Sequence, residues 1–299
     1  MRKFIFIYIR LILISTLLSL FSCKSTYPEY GVKMLKLTND SASTAAAKKL
    51  LNSLPDQDFL TKSFLTKDSQ IIPYRLLTPV NNQPAQKYPL IITLHNSSRI
   101  GSDNKAQLEP LARLWLAARI RKKYPAHVLA PQFSVRSASY ITDQKREILT
   151  SVAAPQLAAI LDLVDSLKKN YNIDENRIYL VGYSMGGSSV IDLLNLRPGA
   201  FAAAVAVAPV PQFANTDALR RVPIWLIHGS EDSENPFAGS KELYKEISTL
   251  QKTRFWIFEH RTHDNIVSPA LLGENIPEWL FAKRRLSQLS VKTAATPMP

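Results

Sequence analysis

With 299 residues, 46% of them hydrophobic and 20% charged, the chain can bury a substantial core and is not of the disordered class. A net charge of +13 raises nucleic acid as a partner. Yet Lys and Arg are scattered, and their densest groups, at 119–123 and 283–285, lack aromatic interleaving or a nucleic-acid motif. They read as solvated faces suited to an anionic or membrane surface.

The chain opens on Met1-Arg2-Lys3, continues through a nearly apolar stretch from Phe4 to Phe21, and reaches Ser22 just before its single cysteine, Cys23. A basic start, an apolar run and a small residue before the cut make a secretory signal, and Arg10 inside that run argues against a spanning helix. Leu20-Phe21-Ser22-Cys23 resembles the lipobox of bacterial lipoproteins. This resemblance implies a signal peptide over 1–22, lipid attachment at Cys23, and export to the periplasmic or cell-surface face of a bacterial membrane. Ordinary cleavage and an uncleaved anchor are the competing readings. Residues 23–58, rich in Ser, Thr, Ala and Lys, read as a tether, with a short helix from Ser41 that ends before Pro55.

A folded domain is predicted over 59–286. It starts with two strand-like runs, 59–65 and 71–77, which suit an antiparallel hairpin at a sheet edge that tolerates Pro73. From Pro89 onward the rhythm becomes apolar strand, polar loop, helix. Strands are predicted at 90–94, 127–130, 178–181, 203–208, 224–227 and 255–258, and helices at 107–123, 154–169, 188–196 and 237–250. Such alternation predicts an α/β fold, a mainly parallel central sheet with helices on both faces. No internal repeat or second domain is visible, and residues 287–299 read as a disordered tail.

The chemistry centres on Gly182-Tyr183-Ser184-Met185-Gly186, a G-x-S-x-G pattern between a predicted strand and a predicted helix. In that setting a serine sits on a strained turn that exposes its hydroxyl. A serine needs a base to take its proton, and the base needs a third group to orient it. On a parallel sheet both should lie just after strand ends, and with this kind of nucleophile the chain order is Ser, acid, His. After Ser184 the acid candidates are Glu231, Asp232 and Glu234, and the base candidates are His260 and His263. His263, deeper in its loop, is the better base, since His260 is close enough to the strand to be its last outward residue. His95 and His228 suit hydrogen bonding to loop backbone, and His127 a structural place at a strand edge. No Cys or His spacing suggests zinc, and no cofactor is required. The oxyanion hole is expected from the N–H of Met185 and an N–H in the loop after the first parallel strand.

Taken together, Pro89 to His95, Gly101 to Asn104, Ala130 to Gln132, Asn172 to Leu180, Gly182 to Gly187, His228 to Asp232, and His263 resemble the α/β-hydrolase superfamily. Within it they are similar to the phospholipase/carboxylesterase and dienelactone hydrolase-like secreted esterases. The resemblance spans roughly 59–285 and implies Ser184 as nucleophile, Asp232 as acid, in an H-G-x-x-D loop, and His263 as base. Two positions depart from the pattern. His95-Asn96-Ser97 stands where the family has His-Gly followed by a small residue, and Asn is the best substitute for that Gly in a left-handed conformation, which would leave the Ser97 N–H directed into the hole. Ser233 to Pro236 replaces the usual Val-Val-Pro ending of the acid loop.

The resulting expectation is a serine carboxylesterase acting on a small-molecule or glycan ester by an acyl-enzyme mechanism, with a membrane as partner through its lipid and no nucleic acid. Its rivals are a prolyl-oligopeptidase-like serine peptidase and a non-catalytic binding lipoprotein that keeps the fold. Loops 133–143 and 209–221 are expected to line the pocket.

Overall fold

A computed structural model describes residues 29–37 and 41–285. The segment expected to be a signal peptide, Cys23 and the tail expected at 287–299 lie outside the described residues. In chain order the elements are β1 (Gly31–Leu35), α1 (Ser41–Ser53), β2 (Phe59–Leu65), β3 (Ile71–Leu77), β4 (Tyr88–Leu94), a 3-10 turn (Ser97–Arg99), α2 (Pro110–Arg113), a second 3-10 turn (Leu114–Leu116) and α3 (Ala118–Lys123). There follow β5 (His127–Pro131), β6 (Ala138–Asp143), β7 (Ile148–Ala153), α4 (Gln156–Asn170), β8 (Ile173–Tyr183), α5 (Met185–Leu196) and β9 (Ala203–Val207). The last are α6 (Thr216–Arg220), β10 (Ile224–Gly229), α7 (Phe237–Ile247), a third 3-10 turn (Ser248–Leu250), β11 (Thr253–Phe258) and α8 (Asn275–Phe281).

Among the described residues, nine strands form one sheet in the order β1-β11-β10-β9-β8-β4-β5-β3-β2. Every pairing is parallel except β2 with β3 and β3 with β5. Pro73 costs this sheet little, because β3 pairs with β5 only from Tyr74 onward.

Strand periodicity divides the core in two. Along β8, Ile178 and Leu180 face one side with the apolar faces of α4, α5 and α7, while Tyr179 and Val181 face the other with α2, α3 and α8. Burial on both sides explains why the central strands are continuous apolar runs. After β4 the chain passes through α2 and α3 to reach β5 on one side of it, then returns through α4 on the opposite face to β8 on the other side. This reversal opens a crevice above the carboxyl ends of β4 and β8, where a doubly wound sheet places its ligands.

Three stretches differ from the sequence reading. Residues 31–35, taken as tether, form β1 and pair with β11, and α1 packs on the sheet through Leu51. The helix expected over 107–123 is broken because Leu114, Trp115 and Leu116 are all buried, a demand that no single helix face can meet. Part of the loop expected to line the pocket, 138–143, pairs with β7 as a separate hairpin. Its turn is closed by the Asp143 carboxylate, which accepts the N–H groups of Lys145 and Arg146.

Candidate active site

Ser184 joins the last residue of β8 to the first of α5 at φ 58°, ψ −121°, a backbone conformation that costs of order 1–3 kcal/mol for a non-glycine residue. The strain is held by close packing on every side. A Cβ at Gly182 would collide with the Gly186 carbonyl, and one at Gly186 with the Leu94 carbonyl. The Ser184 N–H donates to Val207 O at 2.9 Å, and its carbonyl accepts the Ser188 N–H at 2.9 Å. Its hydroxyl is therefore fixed above the crevice.

Asp232 lies in the turn after β10. Its Oδ1 accepts the N–H groups of Glu234 (3.1 Å) and Asn235 (2.9 Å), and its Oδ2 lies 2.7 Å from His263 Nδ1 and 3.2 Å from His228 Nε2. Burial alone would raise its pKa. The hydrogen bonds from His228, His263 and the Asn235 N–H outweigh burial and hold the carboxyl well below the usual carboxylate range. The Ser233 to Pro236 departure thus leaves an aspartate turn closed by two backbone donors.

The imidazole of His263 completes the chain, with Nε2 2.7 Å from Ser184 Oγ. Because the ionised Asp232 can only accept, Nδ1 carries the proton and Nε2 presents its lone pair to the serine hydroxyl. Tyr183 stacks on the ring at 5.2 Å and donates its hydroxyl to the His263 carbonyl at 2.9 Å. Two of the other candidates pair with each other: His260 Nδ1 meets Glu231 at 2.7 Å on the exposed surface. Glu234 is also exposed, with its carboxylate 4.0 Å from His263 Nε2.

For the oxyanion hole, Met185 begins α5 and Ser97 begins the first 3-10 turn, so neither N–H has a partner within its own helical turn. The route to this geometry differs from the expected one. Asn96 is extended (φ −75°, ψ 171°) rather than left-handed, because it acts through its side chain as the cap of that turn. Its Oδ1 accepts the Ser98 N–H (2.9 Å) and hydroxyl (2.7 Å), while its Nδ2 donates to buried Glu109 at 2.7 Å. Burial pushes the Glu109 carboxyl up to about 8, against the attraction of Arg99, the Asn96 hydrogen bond and Lys48. His95 fixes the same loop from below, accepting the Phe133 N–H at Nε2 (3.0 Å) and donating from Nδ1 to Asn96 O (2.8 Å). Asn96→Ala is expected to lower kcat on p-nitrophenyl acetate five- to tenfold, the equivalent of about 1 kcal/mol of lost cap, with an unchanged far-UV circular dichroism spectrum. An unaltered kcat would show that the turn keeps its shape without the cap.

The prolyl oligopeptidase family matches this chain over residues 154–253. A thermostable esterase of known crystal structure is 31% identical, with a TM-score of 0.69 over 77% of this chain and 64% of its own. With the order of the parallel strands and the placement of Ser184, that similarity decides the fold. The chain has the α/β-hydrolase fold.

The chain is also similar in fold to a ferulic acid esterase from Anaeromyces mucronatus, 15% identical, with a TM-score of 0.55 over 75% of this chain and 90% of that one. The bifunctional acetylxylan esterase/xylanase XynS20E of Neocallimastix patriciarum is 36% identical over 73 residues, which are 24% of this chain and 11% of that protein. The chain thus spans less than two thirds of the thermostable esterase and a small part of the bifunctional enzyme.

Two supporting residues escaped the sequence reading. Glu109 is tied to Asn96 across 13 positions, with no local signal. His228 was assigned to loop backbone, and it does lie 2.9 Å from Asn235 O, but it also approaches Asp232. Its place in H-G-x-x-D, four residues before the acid, was the available clue. A cleft of about 370 Å³ adjoins the site. Asn96 and Tyr183 line it rather than loops 133–143 and 209–221, whose Tyr140 and Val210 bond instead to the Ser188 hydroxyl behind Ser184.

Proposed function

We propose that this α/β-hydrolase is a serine carboxylesterase in which Ser184, His263 and Asp232 form an acyl-transfer triad. The observation that carries this reading is the unbroken hydrogen-bond chain from Ser184 Oγ through the His263 ring to the Asp232 carboxylate. Ser184 Oγ attacks the ester carbonyl while His263 Nε2 takes its proton, and Asp232 stabilises the imidazolium that results. The N–H groups of Met185 and Ser97 bind the oxyanion of the tetrahedral intermediate. Collapse expels the alcohol with the proton from His263, and a water activated by the same imidazole releases the acid. The substrate is a small-molecule or glycan ester, in keeping with the esterases to which the chain is similar.

The test is a fluorophosphonate probe together with paired substrates. Labelling that disappears in Ser184→Ala, with p-nitrophenyl acetate cleaved faster than aminoacyl-anilides, is the expected result. Faster anilide cleavage would establish the peptidase reading, which the prolyl oligopeptidase match favours. Absence of labelling would establish a binding protein.

Export and lipid attachment at Cys23 belong to the same proposal and rest on the lipobox-like run. Incorporation of an alkynyl fatty acid, lost in Cys23→Ser, is the expected outcome.

A further inference from the structure

The cleft beside the triad is lined by the residue next to each part of the machinery but by none of the three triad residues. Asn96 comes from the oxyanion loop, Tyr183 precedes Ser184, and Asp264 follows His263. A substrate whose carbonyl sits at Ser184 would send its non-reacting part this way. Three cations, Lys48, Arg99 and Lys105, stand along the same cleft.

These cations are unlike most others near this face of the sheet. Arg113 meets Asp56 at 3.0 Å, Arg121 meets Asp58 at 2.5 Å and Lys123 meets Glu274 at 2.6 Å. Among the described residues, Lys48, Arg99 and Lys105 form no such ion pair. The carboxyls lining the cleft are Glu109 and Asp264. Glu109 is buried and already bonded to Asn96, and with its pKa near 8 it is mainly uncharged at neutral pH, so it adds little negative charge. Asp264, the other, is exposed. Lys48 lies on α1, which is clamped just beyond its end by Arg113, which donates to Leu54 O at 2.8 Å as well as pairing with Asp56. Cations gathered in a concave wall attract anions more strongly than the same charges spread over an open surface.

We infer that this cleft is a subsite for a carboxylate on the non-reacting part of the ester, held by Lys48, Arg99 and Lys105. The inference rests on the esterase reading and narrows its substrate to acidic esters. The carboxylate can belong to the acyl group, as in a dicarboxylic hemiester, or to the alcohol, as in an acylated uronate, and the test separates the two.

On the acyl side, p-nitrophenyl hemiadipate is compared with p-nitrophenyl hexanoate. On the alcohol side, 4-acetoxybenzoate is compared with 4-acetoxybenzamide. The expected result is a kcat/KM at least tenfold higher for the acid in one pair, which names the side. That preference should fall toward unity in Lys48→Gln/Lys105→Gln and as salt is raised from 20 to 500 mM, since exposed charges are screened over a shorter distance at high ionic strength. Preference in neither pair, with the neutral esters cleaved, would overturn the subsite and leave the esterase standing. So would a preference that survives the double substitution. Failure to cleave any of the four esters, with no fluorophosphonate labelling, would overturn the esterase reading and this inference with it.

Discussion

Asp232→Asn is expected to lower kcat about 10⁴-fold while leaving a folded domain. The native carboxylate accepts from His263 Nδ1 at 2.7 Å, which fixes the tautomer whose Nε2 can take the Ser184 proton. An asparagine fits the same turn, because one oxygen suffices for the Glu234 and Asn235 N–H groups. Its amide then faces His263 as a donor, so Nδ1 must accept and Nε2 keeps its hydrogen pointed at Ser184. A protonated Nε2 cannot act as a base. Steady-state kinetics on p-nitrophenyl acetate, with a thermal melt to check folding, tests this. A loss under tenfold would mean that His263 is oriented by something else, and the Tyr183 ring stacked on it would be the first place to look.

A second large effect is expected in stability rather than turnover. Asp192, on α5 with Ser184 at its start, is fully buried; Ser151 donates to its Oδ2 at 2.7 Å, while Oδ1 has no hydrogen-bond partner among the described residues. Burial pushes its pKa up from 3.8 to about 7, against the lowering effect of the Ser151 hydrogen bond. With the folded-state pKa above the unfolded one, the contribution is full below about pH 3.8 and is lost as pH rises through about 7. The loss amounts to about 4 kcal/mol at 1.36 kcal/mol per unit. Asp192→Asn, which stays neutral and keeps a carbonyl for Ser151, should therefore melt above the wild type at pH 8, with the gap narrowing steadily toward pH 4. The difference between the two proteins is the proper readout, because the wild-type profile also contains His127. Burial lowers that histidine from 6.5 to about 4, so its contribution is present above 6.5 and lost as pH falls through 4, the opposite sign. A gap that does not change with pH would refute the account of Asp192.

Much of this arrangement was legible in the sequence because it is written in local pattern. The strands buried on both faces, β4, β5, β9 and β10, are short apolar runs that solvent would not tolerate. The Ser184 turn shows itself because no larger residue fits at Gly182 or Gly186. What escaped depends on tertiary contact. β1 carries exposed Val32 and Met34 around Lys33, a pattern that becomes a strand only when β11 offers its edge. Asn96 looked like a glycine substitute because its backbone was the only thing its neighbours could speak to. Its actual role comes from Glu109, which the fold brings to it. The broken helix at 114–116 follows from a burial requirement set by the far side of the core.

The pairing of β1 also fixes an orientation. Gly31 lies opposite Arg254 and Leu35 opposite Phe258, so β1 runs in the same direction as β11, and its first residue lies at the rim of the sheet remote from Ser184. From Cys23 to Gly31 a fully extended chain reaches no more than roughly 30 Å. A lipid on Cys23, as proposed, would join the molecule to a membrane through the rim of the sheet opposite the Ser184 crevice, so the anchor would not obstruct the mouth of that crevice.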